Sequence, residues 1–256
     1  MTASDLPPRL GGLTFHGPLS EDRAGRIVAR LADVSPATVL DIGCGWGELL
    51  LRVLESVPGA TGVGLDVNAD DLARGRALAM ERGLAERVEF AEESALATPR
   101  GPVDAVLCLG AGQALCDPGR PYDPGVVLRE LRRLVRPGGR VVLGEGFWER
   151  VPTDAELAAM WPGAHAGDHL GLGQLVDLAV ASGFRPAWIE TASREEWEEF
   201  ESGYRHDTEL WLAAHPDHPL AAEARARVDR QRASWVNGYR DILGIAYLTL
   251  VPVAGS

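Results

Sequence analysis

Two carboxylates bracket a glycine turn early in the chain. Asp41 stands two residues before Gly43 in LDIGCGWGELL, and Asp66 closes the apolar run GVGLDV. Glycines at 43, 45 and 47 let a backbone approach a ligand closely. Backbone N–H groups at the start of the next helix suit a carboxylate, and the two acids suit hydroxyls and positive charge. The set fits a nucleoside that carries cationic groups and no phosphate, and its G-x-G-x-G spacing differs from the G-x-G-x-x-G of the dinucleotide fingerprint.

A second concentration lies in VVLGEGFWER, which places Glu145, Trp148 and Glu149 at the end of a run fit for a buried strand. A carboxylate there can take a proton from a hydroxyl or an acidic carbon, and His16 and His206 have the same capacity. Each has a structural alternative. Glu145 reads equally as a buried acid satisfied by backbone N–H groups or an arginine, Glu149 as a solvated partner of Arg150, and either histidine as the holder of a structural hydrogen bond. Gln113, in GAGQAL, offers either a polar contact to an acceptor or a simple loop bond. His165 and His169 have the i, i+4 spacing of a metal pair on a helix, but Gly163, Gly167 and Gly171 argue against a helix there, so no metal is expected.

These side chains need elements to hold them. From Ala37 to about Glu190, short aliphatic runs such as TVLDIG, VDAVLCLG and GRVVLGEG alternate with amphipathic segments such as DDLARGRALAMERG, which predicts a mostly parallel sheet with helices on both faces. In such a sheet ligands bind beyond the carboxyl ends of the strands, where the glycine turn falls. Ser20 with Glu21 and Asp22, and Asn68 with Asp70 and Asp71, are helix starts. Gly83 follows one helix, and Pro137-Gly138-Gly139 is expected to close another, running from about Val126 to Val135. After Glu190 the alternation breaks. Residues from Arg194 to Arg240 read as an antiparallel helical pair interrupted by His215-Pro216-Asp217-His218-Pro219, and ILGIAYLTLV supplies one more strand. Trp197, Phe200, Tyr204 and Trp211 stripe the first helix, and Val228, Trp235 and Tyr239 stripe the second. The expected organisation is one domain over 1–256, with an N-terminal cap segment at 1–35, a core at 36–192, a helical lid at 193–240 and a final core strand at 241–252.

Composition sets the outer limits. The chain has 256 residues, 46% apolar and 24% charged, an ordinary balance for a folded domain with a sizeable core. Its formal charge of −12 disfavours binding to a phosphate backbone, so nucleic acid is not an expected partner. Cys44, Cys108 and Cys116 lack zinc-site spacing and read as reduced thiols, and no apolar run is long enough to span a bilayer. A cytoplasmic protein without a membrane partner is expected.

S-adenosylmethionine has the chemistry that the first residue set calls for: a sulfonium, an ammonium, a carboxylate and a ribose. LDIGCGWG, GLDVN, RVEFAEESA, VDAVLCLGAG and LRELRRLVRPGGRVVLGE, in that order, resemble the class I S-adenosylmethionine-dependent methyltransferases over roughly residues 37 to 190 plus the last strand. The resemblance implies a Rossmann-like, seven-stranded sheet with one antiparallel strand near Ile242 to Val251. It also implies that Gly43 and Gly45 line the methionine part, with Asp41 and Cys44 in the same cofactor-binding set, that Asp66 holds the ribose, Val67 packs on the adenine, and Leu109 with Gly110 lies below the sulfonium. The adenine amino group is commonly met by an aspartate, and here that position is Ser94, beside Ala95, with Glu93 as the neighbouring acid able to swing in. The strand end Gly-Glu-x-aromatic-Trp, followed by the late helical insert, looks like a group of bacterial small-molecule methyltransferases.

The expected function is therefore methyl transfer from S-adenosylmethionine to an O, N or C atom of a small molecule. Glu145, His16 and His206 are the candidate proton acceptors, and Phe15, Gln113, Trp148 and Tyr204 are candidate acceptor contacts. A binder of S-adenosylmethionine or S-adenosylhomocysteine without methyl transfer is the alternative reading, and an NAD-dependent oxidoreductase is disfavoured by the glycine spacing.

Overall fold

Alternating strands and helices build a seven-stranded sheet in a computed structural model that describes residues 10–253. Its strands are β1 (Thr38–Ile42), β2 (Thr61–Asp66), β3 (Val88–Glu92), β4 (Val103–Leu109), β5 (Val135–Trp148), β6 (Phe184–Thr191) and β7 (Leu243–Pro252), in the order β3-β2-β1-β4-β5-β7-β6. The pairs β1–β2, β1–β4, β2–β3 and β4–β5 are parallel, and β7 runs antiparallel to β6, as the motif order implied. The helices are α1 (Glu21–Ala32), α2 (Glu48–Ser56), α3 (Ala69–Glu81), α4 (Pro124–Leu134), α5 (Asp154–Ala159), α6 (Leu172–Ala181), α7 (Arg194–Ala214) and α8 (Ala221–Ser234).

The chain forms two compact units. The larger comprises Ser20–Phe147, Leu170–Thr191 and residues 245–253; the smaller comprises residues 10–19, Trp148–His169 and Ala192–Gly244. The larger unit carries the sheet core, in which Leu40, Ile42, Val106, Leu143, Phe147 and Phe184 are buried. Each such side chain contributes about 1.5–3 kcal/mol of transfer free energy. Helix α1 belongs to this unit: Arg23, Arg26 and Arg30 lie along one helix face and all reach Glu190 on β6, while the Arg30 guanidinium lies 3.9 Å from the Trp188 ring centre. Burial opposes ionisation of Glu190, but the three guanidinium groups hold its carboxyl below the usual range.

Caps lie where the sequence signals them. Ser20 Oγ accepts the Arg23 N–H, and Asn68 Oδ1 accepts the N–H groups of Asp70 and Asp71. Ser193 and Glu196 form a capping box on α7. Two boundaries differ from expectation. Helix α4 stops at Leu134, because Val135 already pairs with Val103 as the first residue of β5, so Pro137-Gly138-Gly139 turns within the strand. The second helix of the late pair ends at Ser234 and passes into a π turn, Trp235–Tyr239, where Gly238 leaves room for the Ala159 carbonyl.

Helices α7 and α8 pack as an antiparallel pair in the smaller unit around Trp211, Leu212, Ala221, Ala224 and Val228. Between them runs a buried polar network. Glu201, 1% exposed, accepts from Arg205 at 3.1 Å, from Gln231 at 3.3 Å and from the Tyr239 hydroxyl.

Candidate active site

The glycine turn is pressed against the loop after β4. Gly43 has φ +62°, and a Cβ there would stand 2.4 Å from the Ala111 Cβ, so both conformation and space demand glycine. The turn is held from β2: the Gly45 N–H donates to Asp66 Oδ2 at 2.8 Å, the Asn68 N–H to Asp66 Oδ1 at 2.9 Å, and the Cys44 N–H to the Leu65 carbonyl at 3.0 Å. Asp66 is thus part of the scaffold of the turn, with lone pairs left for further donors. Just beyond it, Val67 is 73% exposed, an apolar side chain presented to solvent at a strand end.

Asp41 is 6% exposed, and among the described residues no hydrogen bond or ion pair holds its carboxyl. Burial, with a smaller push from the negative charge of Asp66, raises its pKa to about 8. Burial also raises the neighbouring Cys44 thiol well above its usual range. The edge of β1 and β2 therefore holds two acids and a neutral thiol, and a cation placed there would relieve the strain on Asp41.

The residues after β3 and β4 fill in the same edge. Glu93 is engaged by Arg100, at 3.0 and 3.1 Å through both its oxygens. The Ser94 hydroxyl accepts the Leu96 N–H in a local turn, and Ala95 is buried in the sheet core. The Gly110 N–H donates to the Gly144 carbonyl at 2.8 Å, tying the β4 loop to β5 beside Leu109, which pairs with Gly144 in register. Gln113 is exposed and donates to the Gly110 carbonyl at 3.3 Å.

Glu145 lies under this loop, 7% exposed. The Tyr122 hydroxyl donates to its Oε2 at 2.5 Å and the Gly146 N–H to its Oε1 at 3.2 Å. Burial raises the Glu145 pKa to about 7 against those two hydrogen bonds, which lower it. Tyr122 was not among the sequence candidates. Its only signal was an aromatic residue between prolines in RPYDPG, directly before the Asp123 cap of α4.

The remaining candidates belong to the smaller unit. Trp148 is 5% exposed, donates from its indole to the Ala166 carbonyl at 2.9 Å, and packs edge-on to His169 and parallel to Trp161. Phe15 is buried and His16 exposed; Leu13, near them, packs on Gly203 of α7. Tyr204 is half-buried with its ring 6.1 Å from that of Phe200, and His206 is exposed one residue from the Arg205 of the buried network. Arg150 pairs with Glu156 and not with Glu149, whose backbone joins Ile242. His165 and His169 lie in turns rather than on a helix, and the His165 ring accepts the Gly167 N–H.

Comparison with known proteins bears on the larger unit most directly. The profile of a methyltransferase domain family matches residues 40–141. The chain is 28% identical over 241 residues to the uncharacterized protein YjhP of Escherichia coli, covering 93% of both chains, and the crystal structure of YjhP superposes with a TM-score of 0.80 over 96% of this chain and all of that one. A methyltransferase from Geobacter sulfurreducens, solved with S-adenosyl-L-homocysteine, is 26% identical, with a TM-score of 0.80 over 96% of this chain and 98% of that one. A ubiquinone biosynthesis O-methyltransferase from Sodalis glossinidius is 36% identical over 121 residues, and the chain spans less than half of its length. With its strand order, its glycine turn held by Asp66 and these relatives, the chain has the Rossmann-like fold of the class I S-adenosylmethionine-dependent methyltransferases, and its residues 40–141 match a methyltransferase domain.

Proposed function

We propose that the chain transfers the methyl group of S-adenosylmethionine to a small-molecule acceptor, at oxygen in the first instance. The observation that carries the cofactor half is Asp41: a buried carboxyl with its pKa at about 8 beside a second acid is a place built for positive charge, and the cofactor brings an ammonium and a sulfonium. Gly43, Cys44 and Gly45 would line its methionine part, Asp66 its ribose, exposed Val67 its adenine, and Leu109 with Gly110 the sulfonium side. With Glu93 engaged by Arg100, the adenine amino group falls to Ser94 beside Ala95.

When bound, S-adenosylmethionine supplies an electrophilic methyl on sulfur. The chain's own work is to orient the acceptor atom at about 3 Å, exclude water and hold the acceptor's proton. Oxygen is favoured by the quinone-pathway O-methyltransferase among the relatives and by a carboxylate, Glu145, poised near neutrality. Three free thiols suit a reducing compartment such as the cytoplasm.

Isothermal titration with S-adenosylhomocysteine tests the cofactor half, with Asp41→Asn as the control expected to weaken binding. Absence of binding to the unaltered chain would end this reading. Transfer of labelled methyl to phenols, catechols, alcohols and amines tests the other half.

A further inference from the structure

Glu145 and Tyr122 come from separate parts of the larger unit, the carboxyl end of β5 and the loop before α4, yet they meet in a 2.5 Å hydrogen bond. What lies over them is the loop Gly110–Gly112. A Cβ on Gly112 would stand 2.5 Å from the Tyr122 hydroxyl and 2.8 Å from Glu145 Oε2, so the residue there must be glycine for the pair to sit so close beneath the loop. On its other side the same loop touches the cofactor turn, since Ala111 is the residue that would collide with a Cβ on Gly43. Two consecutive residues, Ala111 and Gly112, thus connect the turn assigned to the methionine part with the Tyr122–Glu145 pair.

We propose that Tyr122 is the residue that meets the acceptor, that the acceptor group is a hydroxyl, and that its proton leaves through Tyr122 to Glu145. This rests on the methyl-transfer reading above. The acceptor oxygen forms its bond to the methyl carbon as the carbon–sulfur bond breaks, leaving that electron pair on sulfur. The oxygen's proton moves to Tyr122 Oη while Tyr122's own proton moves to Glu145 Oε2. The sulfonium's positive charge and the carboxylate's negative charge disappear together, so atoms and charge balance.

The two groups have different tasks. Burial and the neighbouring carboxylate push the Tyr122 hydroxyl far above its usual range, so it does not store a negative charge and serves only to pass a proton. Glu145, at about 7, is ionised in a large fraction of molecules at neutral pH and still basic enough to keep the proton it receives. Glu145 acts through Tyr122 and is a positioning and proton-storing group. Cys108 and Cys116 are the other titratable groups facing the pair, and burial raises the Cys108 thiol above its ordinary value.

The test uses the full chain with Tyr122→Phe, Glu145→Gln and the double variant, each first titrated with S-adenosylhomocysteine. Lost binding in the unaltered chain counts against the cofactor reading and not against the relay. With labelled S-adenosylmethionine and a panel of phenol, catechol, benzyl alcohol, aniline and benzylamine, the unaltered chain is expected to methylate a hydroxyl, with kcat rising through a pH near 7. Each single variant loses on the order of 10²-fold in kcat with that rise abolished, and the double variant loses no more than either. An acceptor-free readout accompanies it: the titration of Glu145, followed through the pH dependence of stability, moves upward in Tyr122→Phe and vanishes in Glu145→Gln. Turnover of amines alone, no hydroxyl turnover while S-adenosylhomocysteine still binds, or a pH rise that survives Glu145→Gln would each overturn the relay.

Discussion

Asp66 Oδ2 accepts the Gly45 N–H at 2.8 Å, so the carboxylate at the end of β2 builds the turn that follows β1. Asp66 therefore does two jobs under the proposed function, and they respond differently to substitution. Asp66→Ala removes acceptors for the Gly45 and Asn68 amides and is expected to cost about 1–3 kcal/mol of stability in urea unfolding. It should also weaken S-adenosylhomocysteine binding by roughly tenfold to a hundredfold, the value of a hydrogen bond to a charged group. Unchanged affinity in calorimetry would remove Asp66 from the ribose.

Gly43 and Gly110 form a matched pair for testing close packing. Both have positive φ, but only at Gly43 does a Cβ meet a neighbour, the Ala111 methyl. Gly110→Ala should cost about 1–2 kcal/mol for the left-handed conformation alone. Gly43→Ala should cost a further ~1–3 kcal/mol, because Ala111 has to move. Equal unfolding midpoints for the two variants would contradict the tight contact.

The stability of the unliganded chain should carry the signature of its buried acids. Asp41 has its folded pKa raised from 3.8 to about 8 and Glu145 from 4.5 to about 7, so between those limits the folded state holds protons that the unfolded state releases. Their contribution is full below the unfolded values and is lost as pH rises through the folded ones. Urea midpoints measured across that range should fall less steeply in Glu145→Gln. A cationic ligand reverses the preference at Asp41: binding below about pH 8 should release a proton, seen as a buffer-dependent enthalpy in calorimetry.

In the smaller unit the expected weak point is Glu201. Glu201→Ala leaves Arg205, itself 8% exposed, without its carboxylate and should destabilise that unit by about 3–5 kcal/mol. Arg205 lies 5.1 Å from the Trp235 ring centre, so thermal melts followed by tryptophan fluorescence read the loss directly. A melt indistinguishable from that of the unaltered chain would show that the network is not a stabilising element.

Local patterns were legible in the sequence because their partners lie within a few residues. The caps at Ser20 and Asn68 and the glycine turn between β1 and α2 depend on spacing along the chain, and each is found where the letters place it. The family resemblance of the ordered motifs also implied the antiparallel last strand. The helix end at Val135 was misplaced, because a pairing with Val103, distant in sequence, claims that residue for β5.

The sequence by itself thus determined the sheet, the glycine turn and the two acids that stand at the ends of β1 and β2 beside it. Tertiary structure decided what the other side chains do. Glu93, free to swing on sequence grounds, is held by Arg100, seven residues on, and Trp148 is enclosed by Trp161 and His169 and bonded to Ala166. Glu145, open to either reading in the sequence, acquires its near-neutral pKa from burial, which outweighs the lowering hydrogen bond from a tyrosine 23 residues away. Desolvation and hydrogen bonding depend on which atoms surround a group in space, and no periodicity along a chain specifies that.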